Sequence, residues 1–374
     1  MQQYFPQGLA SEFSFCNRDK ERAALKQSIA DHEHIVLVAP RRHGKTSLIM
    51  QVLKENNLHG VCIDFFFVLT QADVTKAVME GVSKVVSSIL PKTKAACSSL
   101  VDSISALNPK LTFSVLGQKL EINTKHSTEK SISEVLLALD QFAVKSNKSC
   151  VVVFDEFQQI GELEENHTIE ASIRHAVERS QNVSYIFSGS KRHLLNEMFS
   201  DRSRPLYHLC DLMTIGRISA VSYHDFLNKM AKNKWGKLLS EDVIEEVIHS
   251  TERHPYYVNA LCRRLWRSDK TPTVESVVNA WEQYVNQQGV WISNDLSLLT
   301  LNRRKLLGAL ACQPTNEPQG KNLLVKLGMG LSSMQKSLSD LRKLDLIYLD
   351  ANNYFRVLDP AVAYFIRQHS ECAV

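Results

Sequence analysis

The stretch VLVAPRRHGKTSLI, Val36 to Ile49, runs from an apolar segment through a loop carrying Arg41, Arg42 and His43 into Gly44-Lys45-Thr46 and a second apolar segment. Three potentially cationic side chains and a lysine beside a buried strand point to a strongly anionic occupant. Counted from Ala39, the run Ala39-Pro40-Arg41-Arg42-His43-Gly44-Lys45-Thr46 keeps the spacing of a phosphate-binding loop, with alanine in place of the first glycine. A predicted strand, HIVLVA, precedes it and a predicted helix, KTSLIMQVLKEN, follows. Backbone N–H groups and the helix N-terminus therefore offer partial positive charge to phosphates. On this reading Lys45 reaches the β- and γ-phosphates of a nucleoside triphosphate and Thr46 places its hydroxyl on Mg2+. Gly44 lets the backbone approach with no side chain in the way.

The segments around the loop repeat its alternation of strand and helix. NRDKERAALKQSIA, from Asn17 to Ala30, has helical apolar spacing behind an asparagine able to cap. GVCIDFFF, from Gly60 to Phe67, is a near-continuous apolar run followed by the helical DVTKAVMEGVSKVVSSIL. SCVVVFDEF and VSYIFSGS are each preceded by a helix, and HLCDLMTI is the fifth strand candidate. Apolar strands separated by helices read as buried parallel strands, so the fold class is α/β, a P-loop core with a five-stranded, doubly wound parallel sheet. The alternation breaks over residues 91–130, an insertion with one helix-like piece and a predicted hairpin, LTFSVLGQKLEINT. The core is assigned to residues 1–216. Residues 217–295 contain only helix-like segments and predict a small α-helical domain, which the family resemblance given below makes the α-helical lid. Residues 296–374 show three helices and then LIYLDANNYFRVLD, a short hairpin, which is the winged-helix pattern.

Composition excludes little but is consistent with this. The chain of 374 residues is 44% hydrophobic and 22% charged, ordinary for a soluble globular protein. Its net charge of +4 lies wholly beyond Leu301, where ten Lys or Arg face six Asp or Glu. The eight cysteines form no C-x-x-C pair, which predicts reduced thiols and no zinc site. Apolar runs such as FFFVL are far shorter than the ~20 residues of a membrane span, and no basic-then-apolar leader is seen. These features predict a cytoplasmic protein with no membrane partner.

CVVVFDEFQQI carries the acidic counterpart of the loop. Asp155 and Glu156 end a buried strand, where two adjacent carboxylates are costly without a cation or a hydrogen-bonding network. Asp155 suits the Mg2+ shell and Glu156 the orientation of an attacking water. YIFSGS ends another strand in small polar residues, so Ser188 or Ser190 reaches the same region, or simply forms a turn.

With these motifs in order, and with RPLYHL and RHPYYVNALCRRLW after them, the chain resembles the archaeal-type ATPases of prokaryotes, relatives of the STAND and AAA+ groups. The resemblance covers roughly the first 290 residues. It implies ATP binding and hydrolysis used as a switch, with ATP and Mg2+ as ligands. It also implies that Arg18 and Glu21 lie near the adenine and that Lys45, Thr46 and Ser47 serve phosphates and metal. Asp155 and Glu156 form the Walker B pair, Ser188 takes the sensor position, and His254 and Pro255 sit in the lid motif. The chain departs from the pattern twice: Arg253 stands where glycine often precedes His-Pro, and His208-Leu209 stand where Gly-Arg often follows Pro-Leu-Tyr. The second departure leaves the trans-acting arginine open, with Arg202 and Arg204 just upstream.

Arg41 and Arg42 have three open readings: phosphate contact, contact with a neighbouring subunit, or solvation. His43 reads as a loop-shaping residue. Lys336, Arg342 and Lys343 share the third C-terminal helix with Asp340 and Asp345, and Arg303, Arg304 and Lys305 sit on the first, so DNA and protein partners both stay open. The expected function is a nucleotide-dependent ATPase switch in defence or signalling, working as a homo-oligomer or on a protein effector. The alternatives are an AAA+ regulator assembling on DNA and a nucleotide-gated module with negligible hydrolysis.

Overall fold

The computed structural model describes residues 4–10, 12–90, 111–116, 119–124, 128–163 and 167–369. The chain forms two compact units, Arg18–Gly216 and, together, Met1–Asn17 with Arg217–Val374. The first residues thus group with the helical part of the chain rather than with the α/β core.

In the first unit the strands are β1 (Ile35–Val38), β2 (His59–Asp64), β3 (Leu111–Leu116), β4 (Lys119–Thr124), β5 (Cys150–Asp155), β6 (Val183–Gly189) and β7 (Asp211–Thr214). The helices are α1 (Asp19–Ala30), α2 (Lys45–Glu55), α3 (Gln71–Ile89), α4 (Thr128–Lys145), α5 (Gln158–Leu163), α6 (Thr168–Val177) and α7 (Arg192–Ser200). Five strands make one sheet in the order β2-β5-β6-β1-β7, with every pairing parallel. All five strand candidates in the sequence are present. β3 and β4 pair antiparallel, as the alternation in LTFSVLGQKLEINT predicts. The helix-like piece expected before that hairpin, and its turn at 117–118, lie outside the described residues.

Burial explains which strands are central. β1 and β6 are buried along their whole length and β5 up to Phe154, because their Val, Ile and Phe side chains face helices on both sides. The outer strands β2 and β7 are partly exposed. After β1 the chain crosses β6 and β5 to reach β2, and β7 returns to the other flank of β1. The loop after β1 therefore sits at a switch point beyond the carboxyl ends of the strands, where open α/β sheets bind ligands. Buried Asp140 on α4 holds the entry to β6, its Oδ1 accepting the N–H groups of Gln181, Asn182 and Val183 at 2.9, 2.8 and 3.1 Å. This anchors the strand that carries Ser188.

Several local expectations are corrected. The strand GVCIDFFF ends at Asp64; Phe65 is buried, but Phe66 and Phe67 turn into the following loop, with Phe67 84% exposed. Asn17 does not cap α1, because Asn17 and Arg18 both adopt left-handed backbone and Arg18 occupies the cap position without a side-chain cap bond. Cys62 and Cys150 are free, and burial first of all pushes each thiol up to about 12.

The second unit contains α8 (Ala220–Trp235), α9 (Glu241–Thr251), α10 (Pro255–Leu265), α11 (Val274–Ser297), α12 (Leu301–Cys312), α13 (Lys321–Leu327), α14 (Leu331–Lys343), β8 (Ile347–Leu349), β9 (Phe355–Val357) and α15 (Pro360–His369). β8 and β9 form the antiparallel hairpin read from the sequence. Asp350 shapes its turn by accepting the N–H groups of Asn352 and Tyr354. Helix α15 is not among the sequence expectations; Asp359 starts it by accepting the N–H groups of Ala361 and Val362 and also takes the Tyr257 hydroxyl. Among the described residues no helix is long and apolar enough to cross a membrane.

Helix α3 packs on β2 through Gly81, where a Cβ would lie 2.4 Å from Ile63 Cδ1. Gly81→Ala is expected to lower stability by about 1–3 kcal/mol despite alanine's better helix propensity, since the added methyl overpacks the contact. Urea denaturation of the two proteins measures it, and an alanine variant at least as stable as the parent contradicts the packing account.

Candidate nucleotide site

The carboxyl ends of β1, β5 and β6 converge on one constellation. Asp155, the last residue of β5, accepts Thr46 Oγ1 on Oδ2 at 2.9 Å. Its Oδ1 accepts Ser188 Oγ at 2.5 Å and the Glu156 N–H at 3.1 Å. One carboxylate thus ties the start of α2 to β5 and to the end of β6. Thr46 and Asp155 are hard oxygen donors already in contact, the set that suits Mg2+.

The loop above them is braced from below. Arg42 and Gly44 adopt left-handed backbone, which glycine accepts freely and arginine at a cost. Arg18, buried at the start of α1, donates from Nη2 to the carbonyl oxygens of His43 and Gly216, each at 2.9 Å, and from Nη1 to Glu21 Oε1 at 3.0 Å. Arg18 therefore supports the loop backbone through its guanidinium. His43 is 2% exposed, and its Nδ1 lies 3.1 Å from the Arg41 carbonyl oxygen, a contact that holds the loop's shape. Ala39 is buried and Ser47 half-buried, and Pro40 closes the strand end. Lys45 is 7% exposed, and its Nζ donates to the Ala39 carbonyl at 3.3 Å, a long bond. The first N–H groups of α2 have no partner within the helix, as at any helix start.

Glu156 sits beside Asp155 in a left-handed conformation, with φ of 50°. Its Oε2 accepts Gln158 Nε2 at 2.6 Å and Ser190 Oγ at 2.8 Å. Ser190 in turn accepts Arg41 Nε at 3.3 Å, so the phosphate loop is joined to Glu156 through one hydroxyl. Gln158 is fully buried and lies directly over Gly189, where a Cβ would stand 2.0 Å from Gln158 Oε1. Only glycine leaves room for it.

The sequence reading missed part of this arrangement. Asp64 ends β2 in register with Asp155. Burial raises its carboxyl above the usual range, and the negative charges of Asp155 and Glu156 push the same way, partly offset by the Phe66 N–H. An aspartate inside the apolar run GVCIDFFF was the available signal. Gln158 had none, since its role depends on the space above Gly189.

Arg204 is placed differently from a free trans-acting residue. It forms an ion pair with Glu170 in the same chain, its Nη2 and Nε at 2.5 and 3.2 Å from the carboxylate, and Glu170 is buried. Arg202 is exposed and has no partner among the described residues. His254 and Pro255 belong to the second unit, where Pro255 is the first residue of α10 and buried His254 packs edge-on against the Tyr257 ring.

A family model described as an ATPase domain predominantly from Archaea matches residues 15–261. The Walker-type ATPase PABY2304 of Pyrococcus abyssi is 18% identical, with a TM-score of 0.71 over 98% of this chain and 100% of that one. The ORC2 protein of Aeropyrum pernix, solved in ADPNP–ADP complexes, is 12% identical, with a TM-score of 0.58 over 98% and 97% of the two chains. At these identities the likeness is one of fold: a P-loop NTPase of AAA+-like type. Among curated protein sequences none matches.

Arg204→Ala removes the guanidinium from the buried Glu170 carboxylate, which keeps His167 Nδ1 at 3.4 Å. It is expected to destabilise the isolated protein by about 3–5 kcal/mol. Chemical denaturation at a dilution where no oligomer persists reads the loss directly, and unchanged stability there would return Arg204 to the list of intersubunit candidates.

Proposed function

Since the chain belongs to the family of ATPase domains found predominantly in Archaea, we propose that it binds ATP and hydrolyses it to ADP and phosphate as a nucleotide-dependent switch. The observation that carries this reading is the Thr46–Asp155–Ser188 constellation under the loop, with Glu156 held alongside. Lys45 exchanges its long bond to the Ala39 carbonyl for phosphate oxygens, and the loop and helix N–H groups take the remaining phosphate charge. Mg2+, held by Thr46 and Asp155, would offset phosphate charge when bound with the nucleotide.

Glu156 acts on the water. Gln158 and Ser190 both donate to Oε2, which fixes the carboxylate and leaves Oε1 to accept a proton. Water oxygen bonds to the terminal phosphorus, the bond from that phosphorus to the bridging oxygen breaks, and the water proton passes to Glu156. Gln158 and Ser190 are positioning residues in this scheme, and Arg41 links them to the loop through Ser190. Ser188 has its proton directed to Asp155, so it serves that carboxylate rather than the phosphate in this arrangement.

The output belongs to the C-terminal helices and hairpin, read as a winged helix acting on a protein effector or within a homo-oligomer, with Arg202 the available trans arginine. Two cations considered for DNA contact are engaged internally, Arg303 with Asp340 and Lys305 with the Leu327 carbonyl. Arg304, Lys336, Arg342 and Lys343 are exposed and support ATP-dependent DNA binding as a second reading. That reading requires affinity for duplex DNA that falls steeply with salt.

Glu156→Gln is expected to keep ATP affinity within a few-fold and cut phosphate release by 10²-fold or more, whereas Lys45→Ala loses ATP binding. Phosphate-release kinetics with equilibrium nucleotide titration distinguish the two, and wild-type turnover in Glu156→Gln refutes the assignment. Gln158→Ala is expected to lower kcat about 10-fold with little change in KM, in proportion to a lost positioning bond.

A further inference from the structure

The departure at Arg253 leads to a second site. Arg253 adopts left-handed backbone with φ of 61°, directly after Glu252 at 47°. Glycine holds such a conformation without strain and an L side chain does not, so the arginine is kept at a cost to the backbone. Its side chain is exposed and has no partner among the described residues, and it lines an open cleft of about 750 Å3 within the second unit. The volume is that of a small-molecule site.

The charges of the cleft do not cancel. Arg217 is paired with Glu252 at 2.6 Å and lies over the Tyr348 ring, and Arg356 is paired with Asp350 at 2.5 Å. The Glu246 carboxylate accepts the Ser250 hydroxyl at 2.6 Å and lies 3.8 Å from His249 Nδ1. Four arginines thus stand against three carboxylates, and among the described residues Arg253 has no partner while Arg367 uses only Nη1, on the Ala311 carbonyl. The wall also holds two buried donors without acceptors: Trp281, 1% exposed, has no partner for its indole N–H, and Arg217 has none for Nε. Buried donors left unsatisfied are uncommon and mark a place where an acceptor is wanted.

We propose that this cleft, between helices α9 and α11 and the β8–β9 hairpin, binds a small organic anion, a phosphate- or carboxylate-bearing metabolite held by Arg253 and Arg367 with Trp281 at its wall. Guanidinium groups take either anion through paired N–H donors. Such a ligand ties the 252–253 turn to α15 and the hairpin. The site uses none of the residues assigned to ATP, so it stands or falls separately from the proposed hydrolysis.

The test uses the full chain carrying 5-fluorotryptophan, whose four fluorine signals are assigned with Trp281→Phe. Glucose 6-phosphate and citrate are titrated separately as the phosphate and carboxylate probes. At least one is expected to shift the Trp281 signal saturably, and the one that does identifies the anion. Arg253→Gly is expected to weaken that binding at least tenfold while Tm holds or rises, because glycine suits the backbone there. Arg367→Ala is expected to weaken it similarly. A Trp281 signal unmoved by both probes overturns the proposal, as does native affinity in both arginine variants.

Discussion

A single carboxylate organises the core. Asp155 accepts hydrogen bonds from Thr46 at the start of α2, from Ser188 at the end of β6 and from the Glu156 N–H next to it. Those bonds set the loop, the metal-suited oxygens and the glutamate relative to one another. A charged group at the end of a buried strand is costly unless its lone pairs are filled, and here the filling groups are the ones a nucleotide site uses. Burial, with the negative charges of Asp155 and Glu156 added to it, raises the Asp64 carboxyl at this edge.

The loop depends on a second support from outside the motif. Arg18 reaches it from the beginning of α1 and holds the His43 carbonyl, while Arg41 reaches forward to Ser190. The basic residues that make the loop conspicuous therefore have different duties. His43 shapes it, Arg41 joins it to the Glu156 network, and Lys45 rests on the Ala39 carbonyl.

The second unit shows the same economy of exposed charge. Arg303, Lys305, Arg217 and Arg356 are engaged within it, whereas Arg253 has no partner among the described residues, and in the first unit Arg202 has none either. Buried Glu170 explains why Arg204 belongs with the first group. Counting basic residues along the sequence could not separate these classes, because a partner such as Glu170 lies 34 positions from Arg204.

Much of the α/β core was legible from residue order alone. Apolar runs of strand length alternating with helical spacing are local patterns, and they identified all five strands of the sheet, the β3–β4 pairing and the helices of the second unit other than α15. The chemistry-bearing types at Lys45, Thr46, Asp155 and Glu156 were visible for the same reason, since their spacing is set by one strand-loop-helix turn and one strand end. The end of β2, the start of α1 and the whole of α15 were misjudged or missed, because they depend on Phe65 entering the core while Phe66 does not, on left-handed backbone at Asn17 and Arg18, and on Asp359 as a cap. Sequence alone determined most of the elements and which residue types could carry phosphate chemistry. Only the tertiary structure decided that Asp64 joins Asp155, that Gln158 and Ser190 hold Glu156, and that Arg253 is left unpartnered at a cleft, because each is a contact between distant residues made possible by register, a missing Cβ or a strained turn.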